Sequence, residues 1–167
     1  MKIRSFAVLL LCLVPACGTS DPTALTNEAR SALASGKYEE AAKSYEQALA
    51  ALGSDTSSPA WKLAKLGLIQ ARVRIDAPKA KDEFLQLAAM DSGKITDSDF
   101  NTIAGQFGDA GKFSEAIDIL KAGKAKFPES KHLDELGKNL EKSALQSGDK
   151  KASEQLRGLG YGGGGDE

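Results

Sequence analysis

The chain has 167 residues, 41% of them hydrophobic and 27% charged, with 22 basic and 23 acidic side chains and a formal net charge of -1. That length suits a single domain with a packed core, which excludes wholesale disorder. The near-neutral balance gives no global reason to expect nucleic acid, and a single histidine excludes a multi-histidine metal site.

Lys2 and Arg4 precede an apolar run of nine residues, Phe6 to Val14. A membrane-spanning helix needs about 20 apolar residues, so this run is too short to be one. A basic start, a short apolar stretch and small residues after it predict a secretory signal over residues 1–16. Val14-Pro15-Ala16-Cys17 resembles the lipobox of bacterial lipoproteins, with Pro15 departing from the usual small or aliphatic residue. The resemblance implies that Cys17 carries a diacylglycerol, becomes the first mature residue and is often acylated on its amine, commonly with palmitate. Two or three chains would anchor the protein stably, whereas one binds only marginally. Cys12 leaves with the signal, so Cys17 is the lone mature cysteine, an odd feature for an exported protein unless the thiol is modified. Gly18 follows where aspartate would resemble an inner-membrane retention signal, so the expected location is the outer membrane facing the periplasm. The competing reading is an ordinary secretory signal with Cys17 incidental. Cleavage leaves 20 basic against 23 acidic residues, a net of -3.

Apolar spacing at helical period, turn glycines and capping residues predict eight helices, at 22–35, 38–52, 59–75, 78–90, 97–110, 113–126, 130–146 and 149–158. A short linker over 17–21 precedes them and a flexible, glycine-rich tail over 159–167 follows. Ser58-Pro59 sets a capping hydroxyl before a first-turn proline, and Thr96 with Asp99 approximates a capping box.

The chain also repeats itself. Gly36, Tyr38, Ala41, Tyr45 and Ala48 fall at the same spacing as Gly111, Phe113, Ala116, Leu120 and Gly123, with Pro128 closing the second copy. Leading helices carry matching stripes: Phe100, Ile103, Ala104 and Phe107; Leu63, Leu66 and Gly67; Leu133, Leu136, Gly137 and Leu140. These patterns resemble the tetratricopeptide repeat, a pair of antiparallel helices of about 34 residues in which small residues let the backbones approach and aromatics fill the wedge between units. The resemblance implies an all-α fold over 22–158: a short α-solenoid of about three helix hairpins, with a fourth, imperfect pair capping the end. Gly36 and Gly111 stand 75 residues apart. Two ideal repeats span about 68, and the excess fits the polar linker at 54–59, a longer turn near Pro78 and the loop from Asp91 to Thr96.

No catalytic constellation accompanies the repeats. His132 lacks acidic or cysteine neighbours at ligand spacing, and Glu39-Glu40 and Asp82-Glu83 diverge by about 100° on their helices. The terminal glycines lack the flanking strand and helix of a phosphate loop. No catalytic residue, metal, cofactor or small-molecule substrate is therefore expected, and an enzyme is the least favoured class. Lys62, Lys65, Arg72, Arg74, Lys79 and Lys81 against Asp76 give residues 60–81 a local charge of +5, and residues 82–120 carry -6. The two blocks either pair within the molecule or the basic one meets an anionic partner. Nucleic acid is not expected.

In the tetratricopeptide family the leading helices line a concave surface. Carried onto this chain, that surface takes in Thr26 and Arg30, then Trp61, Ala64, Leu68 and Arg72, then Asn101 and Gly105. The same transfer also reaches Thr23, Leu33, Ala71, Ser98, Gly108 and Asp109. Trp61, Ala64, Leu68, Ala71 and Ile75 equally form an apolar seam at heptad spacing, which fits packing between units, and the sequence leaves groove and core open. The lysine–asparagine pattern that captures C-terminal carboxylates is absent. The leading functional expectation is a membrane-anchored adaptor, a pilotin-like or assembly scaffold of the cell envelope that binds a protein or peptide segment in its groove. The alternative is a homo-oligomer built by stacking of repeats.

Overall fold

The structure, a computed structural model, describes residues 21–90 and 94–162. The expected signal, Cys17 and residues 163–167 lie outside the described residues. Eight helices follow in order: α1 (Pro22–Ala34), α2 (Tyr38–Leu52), α3 (Pro59–Ile75), α4 (Ala77–Ala89), α5 (Asp97–Asp109), α6 (Phe113–Lys126), α7 (Lys131–Ser147) and α8 (Lys150–Gly158). Every boundary lies within one residue of the sequence expectation.

Local chemistry starts and stops these helices. Asp21 accepts the Thr23 amide at 3.0 Å, with Pro22 already set at a helical φ behind it. At α5 the capping box is complete: Thr96 Oγ1 accepts the Asp99 amide, and Asp99 Oδ2 accepts the Thr96 amide at 2.8 Å. Ser58 occupies the cap position of α3, but its hydroxyl makes no capping bond, so Pro59 supplies the start alone. The turns after α1, α5 and α7 share one construction. Gly36, Gly111 and Gly148 adopt φ near +70 to +80°, and the next amide reaches back five residues. These bonds are Lys37 to Ala32, Lys112 to Phe107 and Asp149 to Ala144, at 2.8–2.9 Å. The turn after α3 is different. Asp76 ends α3 and caps α4, its Oδ1 accepting the Lys79 amide at 3.2 Å, so no glycine is needed.

The helices form two rows. α1, α3, α5 and α7 adjoin one another in one row, and α4, α6 and α8 adjoin in the other, each hairpin packing against the next. This is the all-α solenoid that the repeats imply. Its core divides at α3. Ala64, Leu68 and Ala71 face a small cluster with Ala29, Ala41, Ala48 and Tyr45, whereas Ile69 and Val73 face a larger one running through Phe84, Phe100, Phe107 and Leu120 to Leu156. Phe84 and Phe100 meet edge to face at 5.0 Å between ring centres, and Phe100 meets Phe127 at 6.0 Å. After α8, Tyr161 donates its amide to the Leu156 carbonyl at 3.0 Å, and its ring comes back over Gly137.

Candidate functional site: a polar groove along one row of helices

A helix turns about 100° per residue, so residues three and four apart share a face. On α5 the stripe Asn101, Thr102, Gly105, Gln106 and Asp109 faces outward from the first row. On α7 the matching stripe is His132, Glu135, Leu136 and Asn139. Together they line an open cavity of about 350 Å³. A second cavity of about 180 Å³ adjoins it, lined by Leu33, Tyr38, Gln70, Val73 and Arg74 and sharing Gln106 and Asp109 with the first. The two form one groove that crosses α1, α3, α5 and α7.

Its chemistry is that of amides and charges. Gln70, Asn101, Gln106 and Asn139 project into it, and Gln106 Oε1 is buried there with no hydrogen-bond partner. Arg74 Nη2 donates to the Asp109 carbonyl at 3.4 Å, leaving that residue's carboxylate aside. At the α7 end, Asp97 Oδ2 accepts from Ser130 Oγ at 2.7 Å and lies 3.4 Å from His132 Nδ1. The Ser130 hydrogen bond holds the Asp97 carboxyl below its ordinary pKa. Among the described residues no group of three or more histidine, cysteine, aspartate and glutamate side chains is placed to hold a metal, and no helix is long and apolar enough to cross a membrane.

The residues expected in the groove divide. Asn101 and Gly105 line it, as do Leu33 and Asp109. Thr26, Ala64 and Leu68 do not: all three are buried. Thr26 Oγ1 is occupied with the Pro22 carbonyl at 2.8 Å, and Ala64 and Leu68 pack in the small cluster. Trp61 is half-buried against the larger cluster, so the apolar seam is core for Ala64, Leu68 and Ala71. Gly108 is also buried, with Leu140 filling its space. Arg30 is exposed but outside both cavities. Arg72 points to the opposite side, where it binds Glu46 at 2.5 Å and Glu83.

On α1 Thr26 is turned inward, and α3 buries two faces, one for each cluster. The face left for the groove carries Gln70 and Arg74, which the transferred frame missed. Their four-residue spacing, polar residues breaking an apolar helix, was the available signal.

The basic and acidic blocks pair within the molecule. Lys62 reaches Asp99 at 2.7 Å, Lys65 reaches Glu83 at 2.9 Å and Lys81 reaches Asp118 at 3.0 Å, each bridging different helices. Burial pushes the Glu83 pKa up, but the hydrogen bonds from Arg72 and Lys65 outweigh it and hold the carboxyl below the usual range. Asp99 follows the same balance, with Lys62 and Thr96 as the opposing donors.

Residues 22–54, which comprise α1 and α2, match the tetratricopeptide repeat family. Among solved structures the chain is similar to the TPR-like repeats of a candidate kinesin light chain from Podosopora anserina. The likeness has a TM-score of 0.55 at 17% identity, covering 83% of this chain and 72% of the other. At that identity the likeness is one of fold. None of the curated proteins matches the chain significantly.

Proposed function

We propose that this chain is a lipid-anchored adaptor of the bacterial cell envelope, tethered through Cys17 and binding a segment of a partner protein in the groove across α1, α3, α5 and α7. The observation that carries it is the groove itself. A row of helices packed side by side leaves a channel that holds main-chain-seeking amides and an unbonded buried acceptor, Gln106 Oε1. Groups of this kind recognise a chain laid across them, because a side-chain amide offers both donor and acceptor to a peptide unit. The anchor rests on the basic start, the apolar run and Val14-Pro15-Ala16-Cys17.

Site-specific photocrosslinking in intact membranes tests the adaptor role. A crosslinker at Asn101 should give one discrete adduct, and one at Asp118, outside the groove, should not. Equal labelling from both positions rejects groove binding. Light scattering of the purified protein checks the stacking alternative, for which a strict monomer leaves no room.

A further inference from the structure

We infer that the segment bound in the groove is basic: a lysine or arginine side chain enters the larger cavity between α5 and α7, and its main chain meets Gln106. This inference rests on the adaptor reading and specifies the partner's chemistry.

Three groups in that cavity ask for a donor. Gln106 Oε1 is buried without a hydrogen bond. A buried acceptor left unmade costs about 1–3 kcal/mol, so turning the partly exposed Gln106 side chain to present Oε1 to an incoming N–H is favoured. Asp109 and Glu135 line the same cavity, and neither carboxylate forms an ion pair among the described residues. They stand apart from Glu83, Asp99, Asp118, Asp134 and Glu141, each of which holds a lysine or arginine from another part of the fold. Arg74, the nearest guanidinium, is directed to the Asp109 carbonyl and lies at the mouth of the smaller cavity. His132 on the opposite wall is engaged with Asp97. The larger cavity is therefore net acidic, while Leu136 gives it one apolar surface for an aliphatic stem. A long cationic side chain fits that combination and an acidic one does not. The Asp97–Ser130 bond, which ties the start of α5 to the start of α7, fixes the spacing of the two walls before anything binds.

The test uses the full chain in detergent and three labelled dodecapeptides. They share a glycine–serine frame and differ only in a central Lys-Leu-Lys, Glu-Leu-Glu or Ser-Leu-Ser. Fluorescence anisotropy should show the lysine peptide binding best, with affinity falling as salt is raised. The double variant Asp109→Asn, Glu135→Gln should weaken it by about fivefold or more. Asp118→Asn, outside the groove, should not change it. Glu135→Lys, which leaves Asp109 facing a lysine, should abolish the preference for the lysine peptide. Binding of the glutamate peptide as well as the lysine one by the unmodified chain, binding by none of the three, or indifference to the double variant overturns the inference. So does spermidine that binds as tightly as the peptide, since the site would then take small polycations. A groove that crosslinks to a partner in membranes yet prefers the glutamate peptide overturns this inference alone and leaves the adaptor reading standing.

Discussion

Tyr45 occupies the space that a side chain on Gly67 would need: a Cβ on Gly67 would lie 2.3 Å from the Tyr45 ring. The ring is buried in the small cluster, and the missing side chain is what lets α3 close onto α2. Gly67→Ala should therefore destabilise the protein by about 1–3 kcal/mol through overpacking. Gly105 is the control. A Cβ there meets only Leu136 at 3.8 Å, so Gly105→Ala should be neutral or stabilising by up to about 1 kcal/mol from helix propensity. Urea unfolding of both variants reads the difference directly.

Phe100 touches Phe84 and Phe127 edge to face and is fully buried. Phe100→Ala should cost about 3–5 kcal/mol, the usual range for an aromatic removed from a core. Phe100→Leu should recover more than half of that in the same thermal melt.

Much of this architecture was legible in the sequence. Turn glycines at 36 and 111, capping residues at 96 and 99 and the small–large stripes on α5 and α7 are local signals, and the helices end where those signals put them. The groove was less legible, because a family frame assumes that each leading helix has the same length and rotation. It held on α5, where Asn101 and Gly105 line the channel, and failed on α1, where Thr26 is buried and Arg30 lies outside both cavities, and on α3, where two buried faces turn Ala64 and Leu68 inward and leave Gln70 and Arg74 to the groove. The pairing of Lys65 and Arg72 with Glu83 was likewise open in the sequence, since residues 11 and 18 apart meet only once the hairpin is folded.

Stability should depend on acid through Glu83 and Asp99. Both have folded pKa values below their unfolded ones. Their stabilising contribution is therefore present above the unfolded values of about 4 and is lost as pH falls through the lower folded values. The melting temperature should stay flat from pH 8 to about 5 and drop below about 4. Glu83→Gln should cost about 2 kcal/mol at neutral pH and flatten the acid limb, because Arg72 and Lys65 lose a shared acceptor. An unchanged acid limb in Glu83→Gln would show that the pair does not carry the dependence.

Tyr161 lies where a Gly137 side chain would otherwise be, at 2.4 Å from its would-be Cβ, and is half-buried against the larger cluster. Ending the chain after Gly158 should lower the melting temperature by several degrees. The shortened chain should also raise the exchange rate of amides in α7 and α8 while leaving α1 to α3 unaffected.

Membrane attachment has its own readout. Cys17→Ala should move the protein from the membrane fraction to the soluble one, and retention of the variant in membranes rejects the lipid anchor.

The division of the core at α3 has a mechanical consequence. Any tether at the amino end delivers load into α1 first, and α1 is held by the smaller cluster, in which six alanines join Tyr45 and Leu68 with leucines at the edge, whereas the larger aromatic and aliphatic mass lies beyond α3. The first hairpin is therefore the compliant link. Under tension it should peel away first, opening the smaller cavity that Leu33 and Tyr38 line, while the walls of the larger cavity between α5 and α7 keep their spacing.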